Sequence, residues 1–173
     1  MKERGAAIVL IGFMGAGKSS AGRTLARMTG LPRFDTDEMV AAQFGLSIAE
    51  IFKTHGEERF REAETAALRE LSGKGRAVVV TGGGIVLRPE NVELLRGLGA
   101  VVHLTADEDT LFRRVSRRDN RPLLRTENPR ATMAELFRVR LPAYQAMADV
   151  EVDTSNLTHD EVAKTILSKL EQS

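Results

Sequence analysis

Gly12, Gly17, Lys18 and Ser19 stand in the spacing G-x-x-x-x-G-K-[ST], between an apolar run, "AAIVLI", and a helical pattern, "AGRTLARM". The chemistry of that pattern is phosphate holding. Glycines let backbone N–H groups turn toward one point, and the first turn of a following helix offers N–H donors at its positive end. A lysine there reaches the β- and γ-phosphates of a nucleoside triphosphate, and the Ser19 hydroxyl is placed to ligate a Mg²⁺ ion that bridges them. The alternative, a glycine-rich turn without a ligand, is disfavoured by the strand before it and the helix after it.

Holding a polyphosphate does not by itself name a reaction. The chain has no N-K-x-D base-reading motif, which sets aside a guanine-specific switch. The run "AVVVTGGG" lacks a terminal acid, so a carboxylate on the magnesium side must come from elsewhere, and Asp35 and Asp37 of "DTD" are the candidates. On extended backbone both point the same way, one toward the metal's water shell and the other toward an acceptor hydroxyl. The same letters also suit a helix N-cap with acidic residues in its first turn. Arg61, four residues after Glu57 and three before Glu64, fits a solvent-exposed helical ion pair. The glycines of "TGGG" suit close approach by a ligand or another backbone, or else a tight turn. The basic stretch "RRVSRRDNRPLLR" has no interleaved aromatics to stack on bases, so it does not read as a nucleic-acid surface. A mobile lid over residues 117 to 131, bringing an arginine to the transferring phosphate, accounts for its charges and prolines.

The elements that must position these groups are a parallel sheet and its helices. Short β-rich runs at 6 to 11, 77 to 82, 100 to 105 and 149 to 154 alternate with longer helical patterns, which argues for βαβ units. "PRFDTD", 32 to 37, is short and partly polar and suits a peripheral strand. Apolar residues Phe60, Ala63, Ala67, Leu68 and Leu71 line one helix face, and Thr158 with Glu161 form a candidate capping box. Ligands gather beyond the carboxyl ends of such strands, so the glycine-rich loop, "DTD", "GGG" and "DTSN" are expected at one edge of the sheet. With 173 residues, a formal net charge of +1 and no cysteine, the chain reads as one globular domain. It gives no global electrostatic case for nucleic acid or a membrane surface, and disulfides and thiolate metal sites are excluded. The apolar part of the N-terminus belongs to the first strand, and the expected location is cytoplasmic.

Five ordered pieces, "GFMGAGKSS", "DTD", "GEERFREAE", "TGGG" and "RPLL" followed by "RLPAY", make the chain resemble the shikimate kinases over nearly its whole length. The resemblance implies an α/β fold of three α/β/α layers with a lid and a five-stranded parallel sheet in the order 2-3-1-4-5. It further implies a shikimate-binding helical segment at about 38 to 64 and a monomeric protein. The implied activity is transfer of the γ-phosphate of ATP to the 3-hydroxyl of shikimate, on the route to chorismate and the aromatic amino acids. By likeness, Gly15, Ala16, Gly17, Lys18, Ser19 and Ser20 bind the ATP phosphates, while Ser19 and Asp35 serve Mg²⁺. Asp37, Arg61, Gly83, Gly84 and Arg140 are similar to the shikimate contacts, Arg121 to the lid arginine and Arg114 to the residue against adenine. Lys18, Asp37 and Arg121 are then the catalytic groups. Two positions depart from the family pattern: Arg33 stands where a phenylalanine is usual, with Phe34 next to Asp35, and Asn156 stands where an arginine near adenine can occur.

Overall fold

The computed structural model describes residues 5–118 and 125–173. Five strands form one parallel sheet in the order β2-β3-β1-β4-β5: β1 (Ala7–Ile11), β2 (Arg33–Asp35), β3 (Val78–Val80), β4 (Gly99–Thr105) and β5 (Val150–Asp153). β1 lies at the centre because its side chains are almost wholly apolar and both faces are covered: Val9, Leu10 and Ile11 are fully buried. β2 is the three-residue edge strand foreseen from its mixed composition, and the order is the one the family resemblance implies. Its first residue, Arg33, turns its guanidinium to Asp35 and Glu38, at 3.6 and 2.9 Å, instead of filling the aromatic place.

The helices are α1 (Lys18–Thr29), α2 (Thr36–Phe44), α3 (Ile48–Leu71), α4 (Pro89–Leu98), α5 (Glu108–Ser116), α6 (Pro129–Met147) and α7 (His159–Glu171). Thr158 and Glu161 do form the capping box that starts α7. α3 bends at Gly56, whose φ of 83° interrupts the helix. Both halves of α3 join α2 in a small second core of Val40, Ile51, Phe60, Ala63 and Ala67, set beside the main sheet core. α6 reaches back into the stretch read as lid: residues 129–131 are helical, because Asn128 caps the helix through the Ala131 N–H and Pro129 occupies the first turn without needing a donor. Among the described residues, no helix is long and apolar enough to cross a membrane.

Candidate active site

β1, β2 and β3 end on the same edge of the sheet, and the turns that leave them wall a cleft of about 490 Å³. The turn after β1 is the phosphate-type loop. Gly15 and Gly17 have φ of 81° and 92°, in the left-handed region that side chains avoid and that lets a loop curl its peptide N–H groups toward one point. α1 has neither a side-chain cap nor an acidic residue in its first turn, so its own sequence leaves the positive helix end uncompensated where Lys18, Ser19 and Ser20 line the cleft. Lys18 Nζ donates to the carbonyls of Gly12 (2.6 Å) and Phe13 (3.1 Å), folded back over the loop. Gly15, Gly17, Lys18, Ser19 and Ser20 all line the cleft.

At the far side of the loop Arg114 donates to the Gly15 carbonyl (3.2 Å), the Thr154 hydroxyl (2.9 Å) and the Thr154 carbonyl (2.8 Å). The same hydroxyl lies 3.0 Å from the carbonyl of Ala16, so α5 and the turn after β5 brace the loop from outside. A second, smaller pocket of about 50 Å³, lined by Ala16, Gly17, Arg114, Leu157 and His159, shares Gly17, Arg114 and His159 with the cleft. His159 and Thr154 were not singled out from sequence; "DTSN" pointed to the right turn. Asn156 does not line either region.

The acidic pair resolves both of its sequence readings at once. Asp35 ends β2 and is the N-cap of α2, its Oδ1 accepting from the N–H groups of Asp37 (2.9 Å) and Glu38 (3.4 Å). Asp37 therefore sits in the first turn of a helix, and the extended backbone assumed for "DTD" ends at Asp35. The helical turn still delivers both carboxylates to the cleft. Burial raises the Asp35 carboxyl above its ordinary pKa, against the lowering effect of those two N–H groups.

Arg61 was given a solvent-exposed ion pair as its simple explanation, and burial overturns the exposure. Its guanidinium bonds Glu64 at 2.8 Å and Glu57 at 3.3 Å, with the Arg61 side chain 11% exposed and that of Glu64 fully buried. Burial pushes the Glu64 carboxyl up to about 7, with Asp37 adding to the rise and Arg61 opposing it. Glu64 was missed as a site residue, although the signal was present: it falls on the apolar stripe Phe60, Ala63, Ala67, where a carboxylate needs a reason.

The "TGGG" turn collects these groups. None of its glycines has a positive φ. A Cβ on Gly82 would stand 2.7 Å from Asp37 Oδ1 and 3.0 Å from Glu64 Oε1; one on Gly84 would stand 2.5 Å from both Arg61 terminal nitrogens; one on Gly83 would stand 3.7 Å from an Arg140 nitrogen. What approaches closely is thus the protein's own charged side chains. Arg140, on α6, is 8% exposed and lines the cleft with Phe52 and Phe60. Every candidate ATP-, acceptor- and metal-binding residue lines one of these two pockets except Arg121, which lies outside the described residues. No cluster of three or more His, Cys, Asp or Glu able to hold a metal occurs among the described residues. Ser19 and Asp35 nevertheless line the same cleft with hard oxygen donors, a set that suits a Mg²⁺ ion keeping several waters and taking its remaining ligands from phosphate.

A family model described as shikimate kinase matches residues 14–171. The shikimate kinase of Thioalkalivibrio sulfidiphilus is 47% identical over 159 residues, covering 92% of this chain and 82% of that relative. The shikimate kinase of Thermodesulfovibrio yellowstonii is 43% identical over 165 residues, 95% of each chain. Among solved structures, a shikimate kinase from Acinetobacter baumannii in complex with shikimate matches with a TM-score of 0.92 and 34% identity, covering 99% of this chain and 95% of that one.

Proposed function

This chain belongs to the shikimate kinase family, and from that premise we infer how its cleft performs the reaction. The enzyme phosphorylates shikimate at the expense of ATP, in aromatic amino acid biosynthesis. The observation that carries the residue assignment is the convergence on one three-glycine turn of two guanidinium groups, Arg61 and Arg140, and the Asp37 carboxylate, one strand away from the phosphate-type loop.

Shikimate is a small ring with one carboxylate and several hydroxyls. In this reading Arg61 and Arg140 grip the carboxylate through paired hydrogen bonds, and Gly83 and Gly84 hold the ring from below. Glu64 keeps Arg61 extended along the cleft wall. Asp37 orients the 3-hydroxyl and takes its proton as the new O–P bond forms and the bond from Pγ to the β-phosphate oxygen breaks, leaving ADP and shikimate 3-phosphate. Residues 15–20 hold the ATP phosphates with their N–H groups. Lys18 exchanges its two carbonyl partners for phosphate oxygens, which keeps it close to its observed position. Ser19 and Asp35 would hold Mg²⁺, which would supply neutralising positive charge to the ATP phosphates. Arg114 borders the nucleoside end, and Arg121 is assigned to the lid by its motif alone.

A coupled assay of ADP release with ATP, Mg²⁺ and shikimate tests this function. The expected result is ADP release that depends on shikimate and is absent with gluconate or nucleoside monophosphates. Folded protein that turns over no shikimate, or that prefers one of those acceptors, rejects it.

A further inference from the structure

Tyr144 and His103 belong to none of the roles above, yet both are completely buried at the back of the acceptor wall. The Tyr144 hydroxyl donates a hydrogen bond to the Gly83 carbonyl and accepts one from Arg140. One oxygen atom therefore joins the glycine turn after β3 to the guanidinium presented by α6, two segments separated by more than fifty residues. The hydroxyl also stands 3.6 Å from the place a Gly83 Cβ would occupy, beside the Arg140 nitrogen at 3.7 Å. Fixing the Gly83 carbonyl fixes the plane of the peptide that follows, and so the direction of the Gly84 N–H on its opposite side.

The ring of Tyr144 is itself held. The imidazole of His103, on β4, stacks on it with centroids 5.2 Å apart and planes 24° apart. His103 Nδ1 is 2.9 Å from Glu151 Oε2 on β5; a carboxylate only accepts, so the Nδ1–H donates. Nε2 is buried without a hydrogen-bond partner among the described residues, so the imidazole is held through one nitrogen and its face. We propose that Tyr144 is a positioning residue for the acceptor, setting Arg140 and the Gly83–Gly84 peptide as a unit, and that His103, tethered by Glu151, sets Tyr144. This rests on the acceptor occupying the Arg61–Arg140 wall. Burial pushes the Tyr144 phenol up to about 12, so it remains a donor throughout the range in which the enzyme is assayed.

The full-length Tyr144→Phe protein keeps the ring and deletes one oxygen. The expected result is a KM for shikimate raised about tenfold with the KM for ATP changed less than twofold, the loss falling in KM more than in kcat. His103→Leu, which removes the stacked ring, raises the shikimate KM about threefold, and His103→Phe, which restores a ring, reverses most of that rise. In the double variant Tyr144→Phe/His103→Leu the two effects do not add, because His103 acts through the hydroxyl that is already gone. An unchanged shikimate KM in Tyr144→Phe, or equal increases in both KM values, overturns the proposal. Should Tyr144→Phe fail to fold, the Leu/Phe pair at His103 gives the same reading, and equal KM values for those two variants overturn it. Wild-type protein in the same assay separates the two levels: no turnover there rejects the kinase assignment and this proposal together, whereas turnover with insensitive variants rejects the proposal alone.

Discussion

Two glycine-rich turns leave adjacent strands on the same edge of the sheet, and their glycines serve different needs. After β1, Gly15 and Gly17 have φ angles in the left-handed region; nothing stands within 4 Å of a Cβ on Gly17, so backbone conformation alone requires that glycine, while Gly15 is also crowded by Val115 and Leu111. After β3, Gly82 and Gly84 have ordinary backbone and are required by proximity, since a Cβ would strike Asp37, Glu64 or Arg61. In the proposed reading one wall binds with peptide N–H groups and a lysine; the other binds with side-chain charges that several helices must deliver. The phosphate wall is thus nearly complete within nine consecutive residues, and the acceptor wall exists only after the sheet, α2, α3 and α6 have packed.

Substitutions that damage one wall and spare the other test this division. Lys18→Ala is expected to have the largest effect, lowering kcat by about 10³-fold through loss of charge stabilisation at the transferring phosphate; steady-state kinetics at saturating shikimate measure it. Arg61→Ala and Arg140→Ala are expected to raise the shikimate KM by about 10²-fold, with the KM for ATP little changed. Comparable losses for both substrates would dissolve the distinction between the walls. Smaller and sharper is the glycine pair. Gly82→Ala should raise the shikimate KM about tenfold by displacing Asp37 and Glu64, whereas Gly17→Ala should raise the ATP KM and cost about 1–2 kcal/mol of stability through backbone strain. Kinetics and chemical denaturation of the two proteins, side by side, distinguish these signatures.

The smallest effect is a pH dependence. Glu64 titrates near 7 in the fold, above its ordinary value of 4.5, so the folded state binds that proton more tightly than the unfolded chain. Stability from this group is therefore fully present below about 4.5 and is lost as pH rises through about 7. The groups that face it are Arg61, Asp37 and Arg88. Glu64→Gln removes the titration, and its stability relative to wild type should improve by on the order of 1 kcal/mol between pH 5 and 8. Thermal melting across that range is the measurement, and a difference independent of pH contradicts it.

The same division explains what the sequence made legible. The phosphate loop could be read because its requirements are local: a buried strand, glycines at set spacing, a lysine and a hydroxyl at a helix start. Strand identity, the edge position of β2 and the α7 capping box were legible for the same reason. Asp37 was found, but on the wrong backbone, because "DTD" satisfies extended and helix-capping geometries equally until β2 is seen to stop at Asp35. Arg61 looked like a surface ion pair, because i, i+3 and i, i+4 charge spacing carries no information on burial. Glu64, Tyr144 and His103 depend on contacts between distant segments, such as Tyr144 with Gly83, and no local pattern announces those. The phenylalanine usual two residues ahead of "DTD" is replaced by Arg33 here, and only the fold shows that it turns to Asp35 and Glu38.

In the proposed reaction the two walls hold a triphosphate and an alcohol in line. A crystal structure of the enzyme with a non-hydrolysable ATP analogue, Mg²⁺ and shikimate tests that alignment. The expected result is the shikimate carboxylate between Arg61 and Arg140, with the 3-hydroxyl beside Asp37 and directed at the γ-phosphate over Lys18. A carboxylate bound away from both arginines, or a 3-hydroxyl turned from the γ-phosphate in the closed complex, would contradict it.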